Sequence, residues 1–176
     1  MADSLLLPPG FSTGDAGAVL ASLLPVGSLV ILEGPTGIGK TEFVRGFARA
    51  LGVRETVTSP TFVTLQEYEG TNGALFHGDL DRLPDGGGTD FVEALLASRE
   101  WSWSLVEWGG KLSPSLWGLF LVVIGLRFSW ESDEGRLMTV RSLGGADGTG
   151  EGESLVTLFL DRLIAGSGFP AISRGG

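Results

Sequence analysis

The sequence contains no cysteine. This absence excludes disulfide bridges, thiolate zinc sites and cysteine nucleophiles together. It leaves the cellular compartment open, because proteins without thiols occur in both oxidising and reducing surroundings. The function must therefore be sought in other residue types and in their spacing.

Positive charge is also scarce. The chain has two lysines, Lys40 and Lys111, and its 12 Lys and Arg residues stand against 21 Asp and Glu residues, which gives a formal net charge of −9. Proteins that bind nucleic acid unaided usually carry a basic patch for the phosphates, and no such patch is evident in this sequence. We therefore expect no direct tight binding of nucleic acid, and a partner would have to hold any RNA.

Long apolar segments are missing as well. The run 112–126 carries no charged residue, but it is interrupted by Ser113, Pro114, Ser115 and Gly118 and falls short of the ~18 to 20 apolar residues that span a bilayer. Near the N-terminus, Asp3 stands where a signal peptide has basic residues, and the apolar run after it is short. We expect a soluble protein without membrane contact.

The chain has the size and composition of one folded domain, with 176 residues of which 43% are hydrophobic and 19% charged. Its apolar periodicities predict helices over residues 15–24, 40–51, 90–97 and 154–164. Strands are predicted over residues 29–33, 62–68, 74–77, 103–106, 119–130 and 136–143, the last two as an antiparallel hairpin. Ser12 or Thr13 would start the first helix, and Asp90 with Glu93 resembles a capping box for the third.

These elements divide the chain into three parts. Residues 1–11 are interpreted as an irregular N-terminal arm, and residues 12–164 as a single domain. Within that domain, residues 144–152 are expected to form a flexible acidic loop. Residues 165–176 are expected to be a flexible tail.

Residues 34–41 match the phosphate-binding P-loop pattern G-x-x-x-x-G-K-[ST], and they lie between a predicted buried strand and a predicted helix. The glycines let the main chain curl round an anion, so that several backbone N–H groups can meet the phosphate oxygens. Lys40 would supply a charge for the β- and γ-phosphates, and the Thr41 hydroxyl would ligate Mg²⁺. The predicted nucleotide-binding residues are Gly34, Pro35, Thr36, Gly37, Ile38, Gly39, Lys40, Thr41 and Glu42. An ATP-using P-loop favours a cytoplasmic protein.

Two other predicted strands are followed by carboxylates, Asp79 and Glu107. Ligands of open α/β sheets bind outside the carboxyl ends of the parallel strands, so both acids would lie near the P-loop. Such an acid can hold Mg²⁺ directly or through water, or orient the attacking water. Either acid alone is weak evidence, because ordinary strands also end this way. The predicted catalytic residues are Lys40, Thr41, Asp79 and Glu107, and the predicted metal ligands are Thr41 and Glu107.

Two aromatic side chains lie next to these acids in the sequence. His77 is the only histidine, and its place at the end of an apolar strand favours a structural imidazole, hydrogen-bonded near the site, over a general base. Trp108 follows Glu107 directly and is predicted to line the nucleotide site, whereas the other tryptophans are expected to be packing residues.

Four motifs occur in a fixed order along the chain: G-P-T-G-I-G-K-T (34–41), V-T-S-P-T-F (57–62), H-G-D-L-D-R-L (77–83) and V-E-W (106–108). Their order and spacing resemble the TsaE family (older name YjeE), the bacterial ATPases of threonylcarbamoyladenosine tRNA modification. The resemblance covers about residues 12–143. It implies a three-layer α/β P-loop NTPase fold with a mixed, mostly parallel sheet plus an antiparallel C-terminal hairpin. It also implies binding of ATP with Mg²⁺ and weak ATPase activity in partnership with TsaB and TsaD.

Position by position, the resemblance implies that Lys40 and Thr41 bind the nucleotide and Mg²⁺. It also implies that Asp79 is the acid of an H-x-D-x-Y-R block, and that Glu107 and Trp108 form an E-W pair near the metal. Residues 59–62 correspond to a segment that behaves like a switch beside the γ-phosphate. Two departures affect the expected packing around Asp79: Asp81 stands where the family usually has Tyr, and Gly78 where an aromatic residue is common.

Three functions remain open at this point. The leading hypothesis is an ATPase subunit whose hydrolysis resets a partner complex. A P-loop small-molecule kinase shares the same strand, loop and helix, but such kinases usually close an arginine-bearing lid over the phosphates, and residues 81–100 offer only Arg82 and Arg99. The third hypothesis is a nucleotide-gated scaffold without real turnover.

Overall fold

The computed structural model describes residues 2–59, 65–85, 88–131, 135–146, 150–166 and 174–175. The strands are β1 Ala2–Leu7, β2 Leu29–Glu33, β3 Leu65–Gly70, β4 Gly73–Asp79, β5 Ser102–Glu107, β6 Val123–Trp130, β7 Arg136–Gly144 and β8 Arg174–Gly175. The helices are α1 Thr13–Ala21, α2 Lys40–Ala50, α3 Thr89–Ser98 and α4 Glu151–Gly166, with short 3-10 helices at Gly109–Lys111 and Pro114–Leu119. No helix in the described ranges is long and apolar enough to cross a bilayer.

All the described strands form one sheet in the order β3-β4-β5-β2-β6-β7-β1-β8. The four central strands, β4, β5, β2 and β6, are parallel to one another. The remaining neighbours pair antiparallel, so that β1 runs in the same direction as the central four. The mixed sheet and the antiparallel C-terminal hairpin, β6 with β7, are therefore confirmed.

The buried side chains of β2 alternate between the two faces of the sheet. Val30 and Leu32 belong to a core shared with α1, α2 and α4, whereas Leu29 and Ile31 belong to a second core shared with α3. Successive side chains of a strand point to opposite faces, so an uninterrupted apolar strand requires cover on both. The expected three-layer α/β fold is confirmed.

The expected irregular arm at residues 1–11 is wrong for its first part, because residues 2–7 form β1. This strand pairs antiparallel with β7, from Ala2 opposite Arg141 to Leu7 opposite Arg136. Leu5 and Leu7 alternate into the main core and are fully buried. The partner strand lies more than a hundred residues away in the sequence, so local composition gave no sign of the pairing. After β1, the side chain of Ser12 caps α1, as predicted.

Several other boundaries differ from the predictions. The strand predicted from residue 119 begins at Val123, because Pro114–Leu119 forms a 3-10 helix. The last helix begins at Glu151, inside the segment expected to be a loop. The capping box predicted for α3 is wrong, since the helix begins at Thr89 with Gly88 as its N-cap. Positions 62–64 of one predicted strand, 147–149 of the predicted loop, and 167–173 and 176 of the predicted tail lie outside the described residues.

The helix that follows the P-loop packs against α1 at a glycine. A Cβ atom added at Gly46 of α2 would lie 1.7 Å from the carbonyl oxygen of Gly14 in α1. The two backbones therefore meet at a distance that leaves no room for a side chain. This contact fixes the position of α2, and through it the position of the P-loop.

We predict that Gly46→Ala lowers the free energy of unfolding by about 1 to 3 kcal/mol, because the methyl group must push the two helices apart. Gly118→Ala is the matched control, since a Cβ atom there would meet no heavy atom within 4 Å. Urea denaturation of both variants and the parent measures the difference. A Gly46→Ala protein as stable as the Gly118→Ala protein would contradict the close packing of α1 on α2.

Candidate functional site

The P-loop joins the carboxyl end of β2 to the amino end of α2. Gly34 has φ +136°, and a Cβ atom there would lie 2.5 Å from the carbonyl oxygen of Phe128 in the neighbouring strand. Gly39, with φ +116°, is the N-cap of α2 and offers no side-chain acceptor to the first N–H groups of the helix. These free donors and the helix dipole suit an anionic group, so the loop meets the structural requirement for binding phosphate.

An open cleft of about 440 Å³ lies over this loop. It contains most of the side chains predicted for the site, together with three others. Its lining residues are Thr36, Gly37, Gly39, Lys40, Thr41, Glu42, Arg45, Ser59, Asp79, Asp81, Glu107 and Trp108. Gly34 and Pro35 do not line the cleft, and the side chain of Ile38 is fully buried in the main core. The strand ends and the P-loop therefore converge as the sequence predicted.

Lys40 is held inside the loop. The residue is only 5% exposed, and its Nζ donates to the carbonyl oxygens of Gly34 at 2.7 Å and Pro35 at 3.2 Å. The same Nζ lies 4.8 Å from the centre of the Trp108 ring, in a cation–π contact. The ammonium group thus contacts two carbonyl oxygens and a ring, and Lys40 also lines the cleft where an anion would bind.

Trp108 reaches Lys40 because of an unusual backbone conformation. It is the only non-glycine residue in the described ranges with a positive φ, +56°. Its N–H donates to the carbonyl oxygen of Leu32 at 2.8 Å, which ties the end of β5 to the end of β2. A bulky residue rarely adopts this conformation, and such outliers concentrate at functional sites.

Glu107 is the buried acid of the cleft, with 3% of its surface exposed. Its Oε1 accepts a hydrogen bond from the Thr41 hydroxyl at 2.8 Å and lies 3.1 Å from Nε2 of His77. Because the Thr41 hydroxyl donates its proton to this carboxylate, its lone pairs remain available to a metal ion. Oxygen ligands of this kind suit Mg²⁺.

His77 supports Glu107 from within the sheet. The residue is fully buried, and its Nδ1 has no hydrogen-bond partner among the described residues. A carboxylate only accepts hydrogen bonds, so this contact requires a proton on Nε2 of the ring when Glu107 is charged. This arrangement fits the structural imidazole favoured by the sequence, because the ring does not line the cleft.

The described residues hold no group of three or more His, Asp or Glu side chains arranged to bind a metal ion. Thr41 and Glu107 could supply part of a coordination shell. A Mg²⁺ ion usually binds through one or two protein groups together with substrate phosphates and water, and the pair fits that pattern.

Asp79 lies opposite Glu107 in the parallel pairing of β4 with β5. Its Oδ1 accepts the N–H of Asp81 at 2.8 Å, and its Oδ2 lies 3.5 Å from the Ser59 hydroxyl. Burial raises the pKa of the Asp79 carboxyl above its usual value. The Asp81 N–H lowers this pKa in part, and the negative charges of Glu107 and Asp81 raise it further.

The packing beside Asp79 explains why a glycine is found at position 78. A Cβ atom on Gly78 would lie 2.5 Å from the ring of Phe91. That ring comes from α3 and packs edge-on against Phe76, with ring centres 5.9 Å apart. An aromatic group from another element therefore fills the space next to position 78.

The sequence did not point to two arginines at the site. Arg45 lines the cleft and donates from Nε to the carbonyl oxygen of Val57 at 2.8 Å. Arg136 donates from Nη1 to the carbonyl oxygen of Ile38 at 3.0 Å, and so supports the P-loop from β7. The i, i+4 spacing of Arg45 from Thr41 could have revealed the first, but no sequence signal marks the second. Arg82 is exposed and does not line the cleft.

Residues 59–62 are the segment that the resemblance likens to a switch. Of these, only Ser59 belongs to the described residues, and residues 60–62 lie outside them.

Comparison with known proteins identifies a family and several relatives of this chain. The family model described as threonylcarbamoyl adenosine biosynthesis protein TsaE matches residues 10–136, which include all the predicted site residues. A tRNA threonylcarbamoyladenosine biosynthesis protein TsaE from Streptomyces coelicolor is 40% identical over 135 residues, 74% of this chain and 90% of the relative. A protein of the same description from Synechocystis is 36% identical over 113 residues, 60% of this chain and 69% of the relative.

Among solved structures, the crystal structure of Bacillus subtilis YdiB is similar to this chain, with a TM-score of 0.64. The match covers 92% of this chain and 97% of YdiB at 24% sequence identity, and at that identity it supports the fold alone.

We predict that Asp79→Asn raises the free energy of unfolding at neutral pH in the absence of nucleotide and Mg²⁺. The raised pKa means that the folded state binds the Asp79 proton more tightly than the unfolded chain does. The stability from this proton is fully present below the unfolded value of 3.8 and is lost as the pH rises through the higher folded value. Asparagine does not ionise, so the variant does not lose stability as the pH rises. Its amide oxygen can still accept the hydrogen bond from the Asp81 N–H.

Urea unfolding at a series of pH values from about 3 to about 7 measures this effect. The difference in free energy of unfolding between Asp79→Asn and the parent should grow with pH and then level off. Asp85→Asn, at an exposed position, is the control and should show no such trend. An advantage that does not change with pH, or that shrinks, would contradict the desolvation of Asp79.

Proposed function

The chain belongs to the TsaE family of tRNA threonylcarbamoyladenosine biosynthesis proteins, and we propose that it is the ATP-binding and ATP-hydrolysing subunit of that machinery. In this proposal, hydrolysis depends on Mg²⁺ and resets a complex formed with TsaB- and TsaD-like partners. Because both ATP and tRNA are cytosolic, we expect the protein to act in the cytoplasm.

The observation that carries the proposal is the hydrogen bond from Thr41 to the buried Glu107, at the base of the P-loop. It joins the first turn of the helix after the loop to an acid at the end of the neighbouring strand. Phosphoryl transfer from nucleotides commonly uses such a pair, with a hydroxyl and a strand-end acid holding the metal. The arrangement therefore supports a nucleotide hydrolase better than a site built for another ligand.

Each residue of the cleft has a role in this proposal. The N–H groups of the loop and the start of α2 bind the phosphates, and Lys40 places its charge beside the β- and γ-phosphates. Bound Mg²⁺ would neutralise charge that develops on the phosphate oxygens. Thr41 and Glu107 would hold that ion, and Asp79 would orient the attacking water. Trp108 covers Lys40 and limits the access of bulk water to it.

The proposal leaves the recognition of tRNA to the partners. With a formal net charge of −9, the chain would repel the phosphates of a free tRNA rather than attract them.

Product analysis separates this function from its rivals. An ATPase releases free phosphate alone, a small-molecule kinase yields a phosphorylated metabolite, and a scaffold binds ATP without turnover. Release of phosphate that requires both Mg²⁺ and Thr41 would support the proposal. A phosphorylated metabolite as the main product would overturn it.

We predict that Glu107→Gln lowers the rate of hydrolysis by about 10²-fold while ATP affinity stays within about threefold of the parent. The amide keeps an oxygen acceptor for Thr41 and His77 but loses the charge, which matters most in the transition state. Lys40→Ala is the comparison, since it should weaken ATP binding itself. Calorimetry with Mg-ATP and a phosphate-release assay separate the two effects. Parent-like hydrolysis by Glu107→Gln, together with no turnover by Asp79→Asn, would make Asp79 the principal acid.

We also predict that the isolated protein hydrolyses ATP slowly and that TsaB- and TsaD-like partners change the rate severalfold. Fast phosphoryl transfer usually needs an arginine over the γ-phosphate, worth about 10³ to 10⁵ in rate. The arginine in the cleft, Arg45, is instead bound to the carbonyl oxygen of Val57. Phosphate release with and without the purified partners is the measurement, and tRNA binding by the lone protein at physiological salt is measured beside it. Equal rates, or tight tRNA binding, would contradict this mechanism.

A further inference from the structure

A second cleft lies on the other face of the sheet from α1, α2 and α4. Its volume is about 620 Å³, larger than that of the cleft over the P-loop. The floor is formed by residues of β2, β6 and β7 that lie on the same face of the sheet. Among them are Ile31, Gly125, Arg127, Thr139 and Arg141. Of the residues that line this cleft, the proposed ATP site uses only Trp108.

None of the residues that line this cleft belongs to an α-helix of the described ranges, and the short 3-10 helices at Gly109–Lys111 and Pro114–Leu119 border it. The helix α3 covers the same face over β4 and β5, where Phe91 and Leu95 pack with Phe76 and Val106. Over β6 and β7, the absence of a side chain at Gly125 leaves the backbone as the floor, and the side chain of Leu143 borders it. The result is a hollow with apolar walls and a polar floor.

The charge of this hollow is opposite to that of the whole protein. Arg127 and Arg141 are both exposed and lie on the same face, since Arg141 pairs with Gly125 and Arg127 with Thr139. Neither arginine forms a hydrogen bond or an ion pair with another described residue. Lys111 at the rim adds a third positive charge, although its Nζ is bound to the carbonyl oxygens of Leu80, Asp81 and Leu83. The one carboxylate in the lining is Glu33.

The second cleft is connected to the nucleotide site through a single side chain. Trp108 lines both clefts, and its ring lies 4.8 Å from Nζ of Lys40. A group that packs on Trp108 from the second cleft therefore presses on the ring that covers the P-loop lysine. Conversely, a nucleotide that moves Lys40 changes the wall of the second cleft.

We propose that this cleft is the docking surface for an acidic segment of a partner protein, and that its occupancy is coupled to the nucleotide through Trp108. The inference rests on the proposed function for the existence of a partner. Arginine guanidinium groups pair with carboxylates in a bidentate geometry, and two unpaired arginines in a hollow with apolar walls suit a short segment that carries both carboxylates and an apolar side chain. An RNA occupant is disfavoured, because the −9 charge of the chain would repel an extended polyanion.

The test compares three proteins: the parent, the double variant Arg127→Glu with Arg141→Glu, and Arg54→Glu. Arg54 is exposed and lines neither cleft, so it controls for the change in charge that each of the two substitutions causes. Affinity for the purified TsaB- and TsaD-like proteins of the same organism is measured by calorimetry in the presence of Mg-ATP, at low and at physiological salt. ATP affinity of each lone protein shows that the variants are folded and that the P-loop is intact.

The double variant should bind the partners at least about tenfold more weakly than the parent, with most of the salt dependence lost. Arg54→Glu should bind like the parent, and all three lone proteins should bind ATP equally. For the coupling, ATP should strengthen partner binding by the same factor by which the partner strengthens ATP binding. That factor should approach one in Trp108→Ala.

Each other outcome overturns a defined part of the inference. Equal partner binding by the parent and the double variant overturns the docking surface but leaves the proposed function standing. Failure of the parent to bind these partners contradicts the proposed partnership and, with it, this surface. Binding of tRNA by the lone parent that is lost in the double variant would make the cleft an RNA site. Partner affinity that does not change with nucleotide overturns the coupling.

Discussion

The buried carboxylate of Glu107 is the group on which the rest of the site depends. A charge removed from water is stable only if hydrogen-bond donors replace the lost solvent, and an unpaired one costs several kcal/mol. Here the donors come from two other elements, Thr41 at the start of α2 and His77 in β4. The need to satisfy one oxygen atom therefore fixes a helix and two strands relative to one another. Together with the contact between α1 and α2 at Gly46, these hydrogen bonds hold the P-loop in place.

The two faces of the sheet differ in how much of their area is covered by helices. On one face, α1, α2 and α4 bury most of the apolar side chains and hold the P-loop from behind, with α1 and α2 in backbone contact at Gly46. On the other face, α3 packs near β4 and β5, and the 3-10 segments lie against β2 and β7 at the border of the second cleft. Stability thus comes mainly from one layer, which leaves part of the other free to carry charge. Trp108 stands where the two regions meet.

Much of the site could be predicted from the sequence because its signals are local. The P-loop is a contiguous pattern, and the acids Asp79 and Glu107 directly follow apolar strands, so the rule for parallel sheets brings them together. The burial of Lys40 could not be predicted, since it depends on where the Trp108 ring lies in space. The strand β1 and the support from Arg136 depend on pairing between distant parts of the chain, which composition does not reveal. The late start of β6 has a local cause, because Pro114–Leu119 forms a 3-10 helix before the strand begins.

The solitary histidine has a practical consequence for spectroscopy. Since His77 is the only imidazole in the chain and its Nε2 lies against Glu107, its nitrogen resonances need no assignment once any purification tag is removed. Its tautomer can be read from those signals at a fixed pH. Any event that pulls Glu107 toward a metal ion, or releases Thr41 from it, changes the hydrogen bond that the ring donates. The protein therefore carries a single buried imidazole whose nitrogen signals report on the state of Glu107.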